Sequence, residues 1–163
     1  MKDHSLTAHE IGVILHANGL HPHVKDINLY GISNGGDDYL VYTGELPDVY
    51  IRKEVPMDAF EFRETAGYLA VAMNRVNAQY TPVRVTAGEG TISFLLCAGT
   101  ESAGAFADAL PERLAQIERA VDQLGQALDC IIREDEQADL AEVAEQLSNP
   151  SADSPWLRGQ KLS

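Results

Sequence analysis

Gly31-Ile32-Ser33-Asn34-Gly35 spells the G-x-S-x-G pattern of a hydrolase nucleophile elbow. Such an elbow needs a strand before it, a helix after it and a later histidine to act as base. Here Gly36, Asp37 and Asp38 lead into strand-like sequence and no histidine follows His23, so the glycines read as a hairpin turn. His16, His21 and His23 form a loose cluster, with His9 further back. Zinc requires three or four converging ligands, whereas His21-Pro22-His23 presents two side chains, far in sequence from Cys97 and Cys130. These histidines read as solvated, and neither metal nor cofactor is expected. Gly88-Glu89-Gly90 precedes a strand with no lysine directly following. It reads as a turn, since phosphate cradles open helices. Cys97 has no nearby histidine to activate it. Glu54, Asp58, Glu61 and Glu64 gather where a helix is expected to begin, and there they favour the macrodipole. No catalytic residue is assigned, and the chain is not expected to be an enzyme.

Three further features are open to more than one reading. Asn74 and Asn77 lie three apart on one helical face; they mark either a fraying helix end or amides bonded to the adjacent sheet or the following loop. Tyr30, Tyr39, Tyr42 and Tyr50 could line a ligand face, each offering apolar area and a polar tip. Trp156, the sole tryptophan, stands at Ser154-Pro155-Trp156-Leu157, where it could dock on a partner, fold back on its own domain or do nothing.

At 163 residues the chain suits one compact domain, and its 45% hydrophobic content is ordinary. The net charge of −13 is not, and argues against a nucleic-acid partner, because neutralising phosphates takes clustered Lys and Arg. No apolar run is long enough to span a membrane, and Lys2-Asp3-His4 introduces no signal-peptide pattern. Without an export signal, Cys97 and Cys130 are expected to be two buried thiols rather than a disulfide, and the protein to be cytoplasmic.

Thr7 with Glu10 makes a capping pair for a first helix bearing Ile11, Ile14, Leu15 and Asn18, stopped at Gly19. Residues 27–32, 39–43 and 49–53 read as an antiparallel meander, with Asn34-Gly35-Gly36 as one turn and Gly44 and Pro47 in the next connection. Asp58 with Glu61 should open a second helix running to Ala78, with Phe62, Ala66, Leu69, Met73 and Val76 on its apolar face and Pro82 beyond it. Two strands follow, residues 83–87 and 91–98, the second apolar enough to be central. A third helical region starts near Ser102, with Pro111 either kinking it or opening its main part. Leu114, Ile117, Val121, Leu124, Leu128 and Ile131 are spaced by threes and fours, a stripe that packs on the sheet or forms part of a dimer interface. Sheet packing is preferred, so a carboxylate at Val121 should be buried unpaired. The reading is an α+β domain in the order α-β-β-β-α-β-β-α over residues 5–133. An acidic, weakly helical extension (134–147) and a flexible tail (148–163) follow.

Leu69-Ala70-Val71-Ala72-Met73-Asn74 closing a helix, Asn74-Arg75-Val76-Asn77 before a hairpin, Ile92-Ser93-Phe94-Leu95-Leu96 as its second strand and the final amphipathic helix form a pattern. It resembles the type III secretion chaperone-like superfamily, which includes Tir chaperones and YbjN-like proteins. The resemblance implies a curved antiparallel sheet packed by helices in a non-enzymatic, often homodimeric bacterial protein. Such a protein would hold a client polypeptide on apolar patches, or act as a regulator. A small-ligand-binding or enzymatic domain using the tyrosine face is the alternative.

Overall fold

A computed structural model describes residues 7–43, 49–60, 66–79, 82–98 and 102–148. Thr7 caps the first helix, α1 (Ala8–Ala17), its Oγ1 accepting from the Glu10 amide. Asn18 returns its side-chain amide to the Ile14 carbonyl at 2.8 Å, and Gly19 takes φ +74° to end the helix.

The sheet has six strands where five are expected from sequence. Residues 27–32 are not one strand. A separate β1 (His23–Asp26) precedes β2 (Leu29–Asn34), and Ile27 lies in the turn between them. In that turn Asp26 Oδ1 accepts from the Ile27 amide at 2.8 Å. Then come β3 (Asp37–Tyr42), β4 (Tyr50–Pro56), a single 3₁₀ turn (Met57–Phe60), α2 (Ala66–Ala78), β5 (Val83–Ala87), β6 (Thr91–Cys97) and α3 (Ala103–Ser148). The β2–β3 hairpin turns on Gly35 (φ +61°) and Gly36 (φ +89°), between the paired Asn34 and Asp37. Two consecutive positive φ values are what a two-residue hairpin turn needs and what glycine permits.

All pairings are antiparallel, in the order β1-β2-β3-β4-β6-β5. Strand β6 is thus interior, consistent with its apolar sequence, and α2 carries the chain from β4 to the β5 edge. The curved, open sheet packs the helices on one face. Alternation sends Ile32, Tyr39, Val41, Ile51, Val55, Ile92, Phe94, Leu96, Val83 and Val85 into a core shared with Ile11 and Leu15 of α1, Ala72 and Val76 of α2, and the stripe of α3.

Helix α3 is continuous over 46 residues, with Pro111 inside it. Pro111 is exposed, so the carbonyl that its missing N–H leaves free faces the wet side of the helix. Leu114, Ile117, Leu124, Leu128 and Ile131 are buried, together with Phe106, Leu110 and Ala120. Val121 is only half-buried, at the margin of the stripe, so the expectation of a fully buried position there is wrong. The stripe packs along α2 and reaches β5, β6 and α1.

Tyr30 lies against α1, its hydroxyl donating to the Ala8 carbonyl at 2.8 Å. A Cβ at Gly12 would stand 2.7 Å from that hydroxyl. Gly12→Ala should therefore cost about 1–3 kcal/mol in denaturant unfolding, because the ring is held at both ends of its path. Gly31→Ala is the control. A Cβ there meets only the far ends of the His23 and Lys25 side chains, which swing aside, so little stability is lost.

Candidate functional site

The two faces of the sheet do different things. On the helix-covered face, Tyr39, Lys53 and Asp37 converge on Glu118 of α3. The Tyr39 hydroxyl donates to Glu118 Oε1 at 2.6 Å, and Lys53 Nζ bonds the same oxygen and, at 3.2 Å, Asp37 Oδ1. Lys53 Nζ also lies 5.5 Å from the centre of the Tyr39 ring. Burial, the Glu118 hydrogen bond and the charges of Glu118 and Asp37 hold the Tyr39 phenol well above its usual range. Burial alone would lower Lys53, but its bonds to Glu118 and Asp37 outweigh that and raise it. Tyr39 and Lys53 are thus both pushed toward the protonated form they already hold near neutrality. The cluster is a clamp between sheet and helix rather than an acid–base pair poised to exchange a proton.

The opposite face carries the rows His23, Gly31, Leu40, Arg52, Leu95 and Arg84, then Leu29, Tyr42, Tyr50 and Cys97. Leu29, Leu40, Tyr42, Tyr50 and Leu95 are half-exposed. The contacts of the three helices, such as those of Tyr30 and Tyr39, lie on the other side. Arg52 stacks over the Tyr42 ring at 5.2 Å and pairs with Glu54 at 2.7 Å. A cavity of about 330 Å³ opens beside it, lined by His23, Lys25, Gly31, Ile32, Asp38, Tyr39, Leu40, Arg52 and Glu54.

The four tyrosines do not share a face, which corrects the expectation of a tyrosine-lined pocket. Tyr30 is the register partner of Val41 and Tyr39 that of Ile32, both on the buried side, whereas Tyr42 and Tyr50 pair on the open side. Tyr39 and Tyr42 are three residues apart, and a strand alternates every second residue. The two asparagines also part company. Asn77 donates to the Val85 carbonyl and accepts from the Val85 amide, both at 2.8 Å, gripping β5 like a further strand residue. Asn74 is exposed. Asn77→Ala strips both partners from Val85 and should cost about 2–3 kcal/mol by thermal or urea unfolding. Asn77→Asp should fare little better, because a carboxylate oxygen would face the Val85 carbonyl.

Other positions singled out in the sequence resolve simply. The Ser33 hydroxyl donates to Asp38 at 2.7 Å, and β2 runs into a hairpin rather than a helix, which excludes a nucleophile elbow. His9, His16, His21 and His23 are exposed, and no metal-ligating group of three assembles among the described residues. Glu54 belongs to β4 rather than to a helix start, and Asp58 to the 3₁₀ turn. Glu61, Phe62 and Glu64 lie outside the described residues, as do Gly44, Pro47 and residues 149–163 with Trp156. Cys97 and Cys130 are free as expected, but exposed rather than buried. Cys97 falls on the open face beside Tyr50, and Cys130 falls between the buried steps of α3.

No protein-family model and no curated sequence matches the chain. Among solved structures it is similar to one described as "YbjN, a putative transcription regulator from E. coli", with a TM-score of 0.53 and 9% identity over 83% of this chain and 97% of that one. The fold is YbjN-like. At that identity the likeness extends to the arrangement of sheet and helices and not to individual side chains. Among the described residues no helix is long and apolar enough to cross a membrane.

Proposed function

We propose that this chain is a non-enzymatic, cytoplasmic bacterial binding module that holds a partner polypeptide on the open face of its sheet. The observation that carries this is the half-exposed group of Leu29, Leu40, Leu95, Tyr42 and Tyr50, against which none of the described helices packs. Leucine and tyrosine side chains in such a patch offer apolar area that a monomer gains by covering. The resemblance to secretion chaperones and YbjN-like proteins supports a client- or regulator-binding role and a homodimer. The charge of −13 favours regulation through a protein rather than through a phosphate backbone.

Affinity capture from the native host tests the reading when wild type is compared with a Leu40→Glu/Leu95→Glu variant. Both positions are half-exposed, so the variant should fold, as circular dichroism would verify. A stoichiometric protein retained by wild type and lost from the variant supports the proposal. A partner retained equally by both places binding elsewhere and overturns it. A second reading rests on the 330 Å³ cavity beside Arg52, which could take a small anionic ligand. Saturable thermal stabilisation by a metabolite, with no protein captured, would favour that one.

A further inference from the structure

The buried stripe of α3 does not continue to the end of the helix. Stepping on from Ile131 by fours and threes gives Asp135, Ala138, Glu142 and Glu145, all exposed. Tyr68 bonds Asp135, and Arg75 bonds Glu134 at 3.1 Å, tying α2 to α3 just past the last core residue. Beyond these contacts the apolar residues change sides. Leu140, Val143 and Leu147 are exposed at 69%, 43% and 69%, and their spacing by three and four puts them on one stripe. Among the described residues, the other large exposed apolar side chains, Val13, Val24, Ile27 and Val71, are scattered over separate elements.

We infer that this stripe is the seat of the chain's own following segment, with Trp156 and Leu157 folded back onto Leu140, Val143 and Leu147. Three arguments single out that occupant. The first is charge: Glu136 and Asp139 lie beside the stripe, and Glu134, Asp135, Glu142 and Glu145 make the other side of the same helix end acidic as well, so a second copy would bring like charges together. The segment after the helix carries one acid, Asp153, well before Trp156, and two bases, Arg158 and Lys161, close to Trp156, Leu157 and Leu162. The second is reach. The eight residues from Asn149 to Trp156 extend to about 26 Å, whereas Leu147 back to Leu140 is only about 10 Å of helix. The third is concentration. A tethered segment meets its site at an effective concentration of about millimolar, far above that of a free competitor of equal chemistry.

Trp156 is the sole tryptophan, so the full-length protein reports on its own docking. The expected result is blue-shifted emission poorly quenched by acrylamide and unchanged on serial dilution. In a Leu140→Asp/Leu147→Asp variant the emission shifts red and quenching rises several-fold, with circular dichroism and melting otherwise unaltered because both positions are exposed. Arg158→Glu/Lys161→Glu should produce the same red shift, and high salt should move wild-type emission part of the way toward it. Wild-type emission already that of a solvated indole overturns the inference. So does a blue shift that disappears on dilution, which assigns the stripe to a second copy, or one that survives in the Leu140/Leu147 variant, which places Trp156 elsewhere. None of these outcomes bears on the open sheet face, so the two proposals fail independently.

Discussion

Leu124→Asp should abolish the cooperative fold or remove about 4 kcal/mol or more of stability, a large share of what a domain of this size possesses. Leu124 is 0% exposed, in the middle of the α3 stripe and in the core common to sheet and helices. A carboxylate there has no described partner and must either lose its charge or be buried with it. Val121→Asp, one turn back on the same helix, should cost only about 1 kcal/mol, because Val121 stands half-buried at the stripe's margin and its carboxylate can turn to water. Urea unfolding of the two variants side by side measures the contrast. Equal, small losses would mean that α3 does not seal the core.

Glu118→Ala should also be costly, by about 1–3 kcal/mol. It leaves Lys53, whose side chain is only 12% exposed, with Asp37 alone, and deprives the buried Tyr39 hydroxyl of its acceptor. Breaking a buried ion pair from one side costs more than this, but Glu118 is 37% exposed and its share is screened by water. The same cluster sets a pH dependence. Tyr39 and Lys53 both have folded pKa values raised above those of the unfolded chain, so the folded state holds their protons more tightly. Their contribution is fully present below about pH 10 and is lost as pH rises beyond the unfolded values. Stability measured by urea titration should therefore be flat through neutrality on account of this cluster and fall on the alkaline side. Tyr39→Phe should flatten part of that fall; an unchanged alkaline limb in Tyr39→Phe and Glu118→Ala would mean that the clamp does not form in solution.

The architecture was largely legible because its signals are periodic or local. The α3 stripe announces a packed helix, Thr7 and Gly19 bracket α1, and Asn34-Gly35-Gly36 marks a hairpin whose two positive-φ glycines leave little choice of turn. What was lost depends on longer range or finer parity. Strand β1 hid because His23-Val24-Lys25-Asp26 is exposed throughout and has no apolar alternation; only pairing with β2 makes it a strand. The tyrosine grouping failed on parity, a signal present in the sequence once the strand is fixed. The clamp was invisible because Tyr39, Lys53 and Glu118 are brought together by the strand order and by the lie of α3. Asn77 was readable as a candidate for bonding a sheet, but nothing local distinguishes it from Asn74. The open face is the least legible of all. Leu40 and Leu95 look like core residues, and only the placement of every described helix on the other side leaves them half-exposed.

Site-specific photocrosslinking in the native host tests the open face most directly. A photoreactive residue is placed at Leu95, in the middle of that face, and for comparison at Val13, exposed on α1. The account predicts one discrete protein adduct from position 95 and none from position 13. Adducts of the same pattern from both positions, or none from position 95 while a partner still co-purifies, would contradict it.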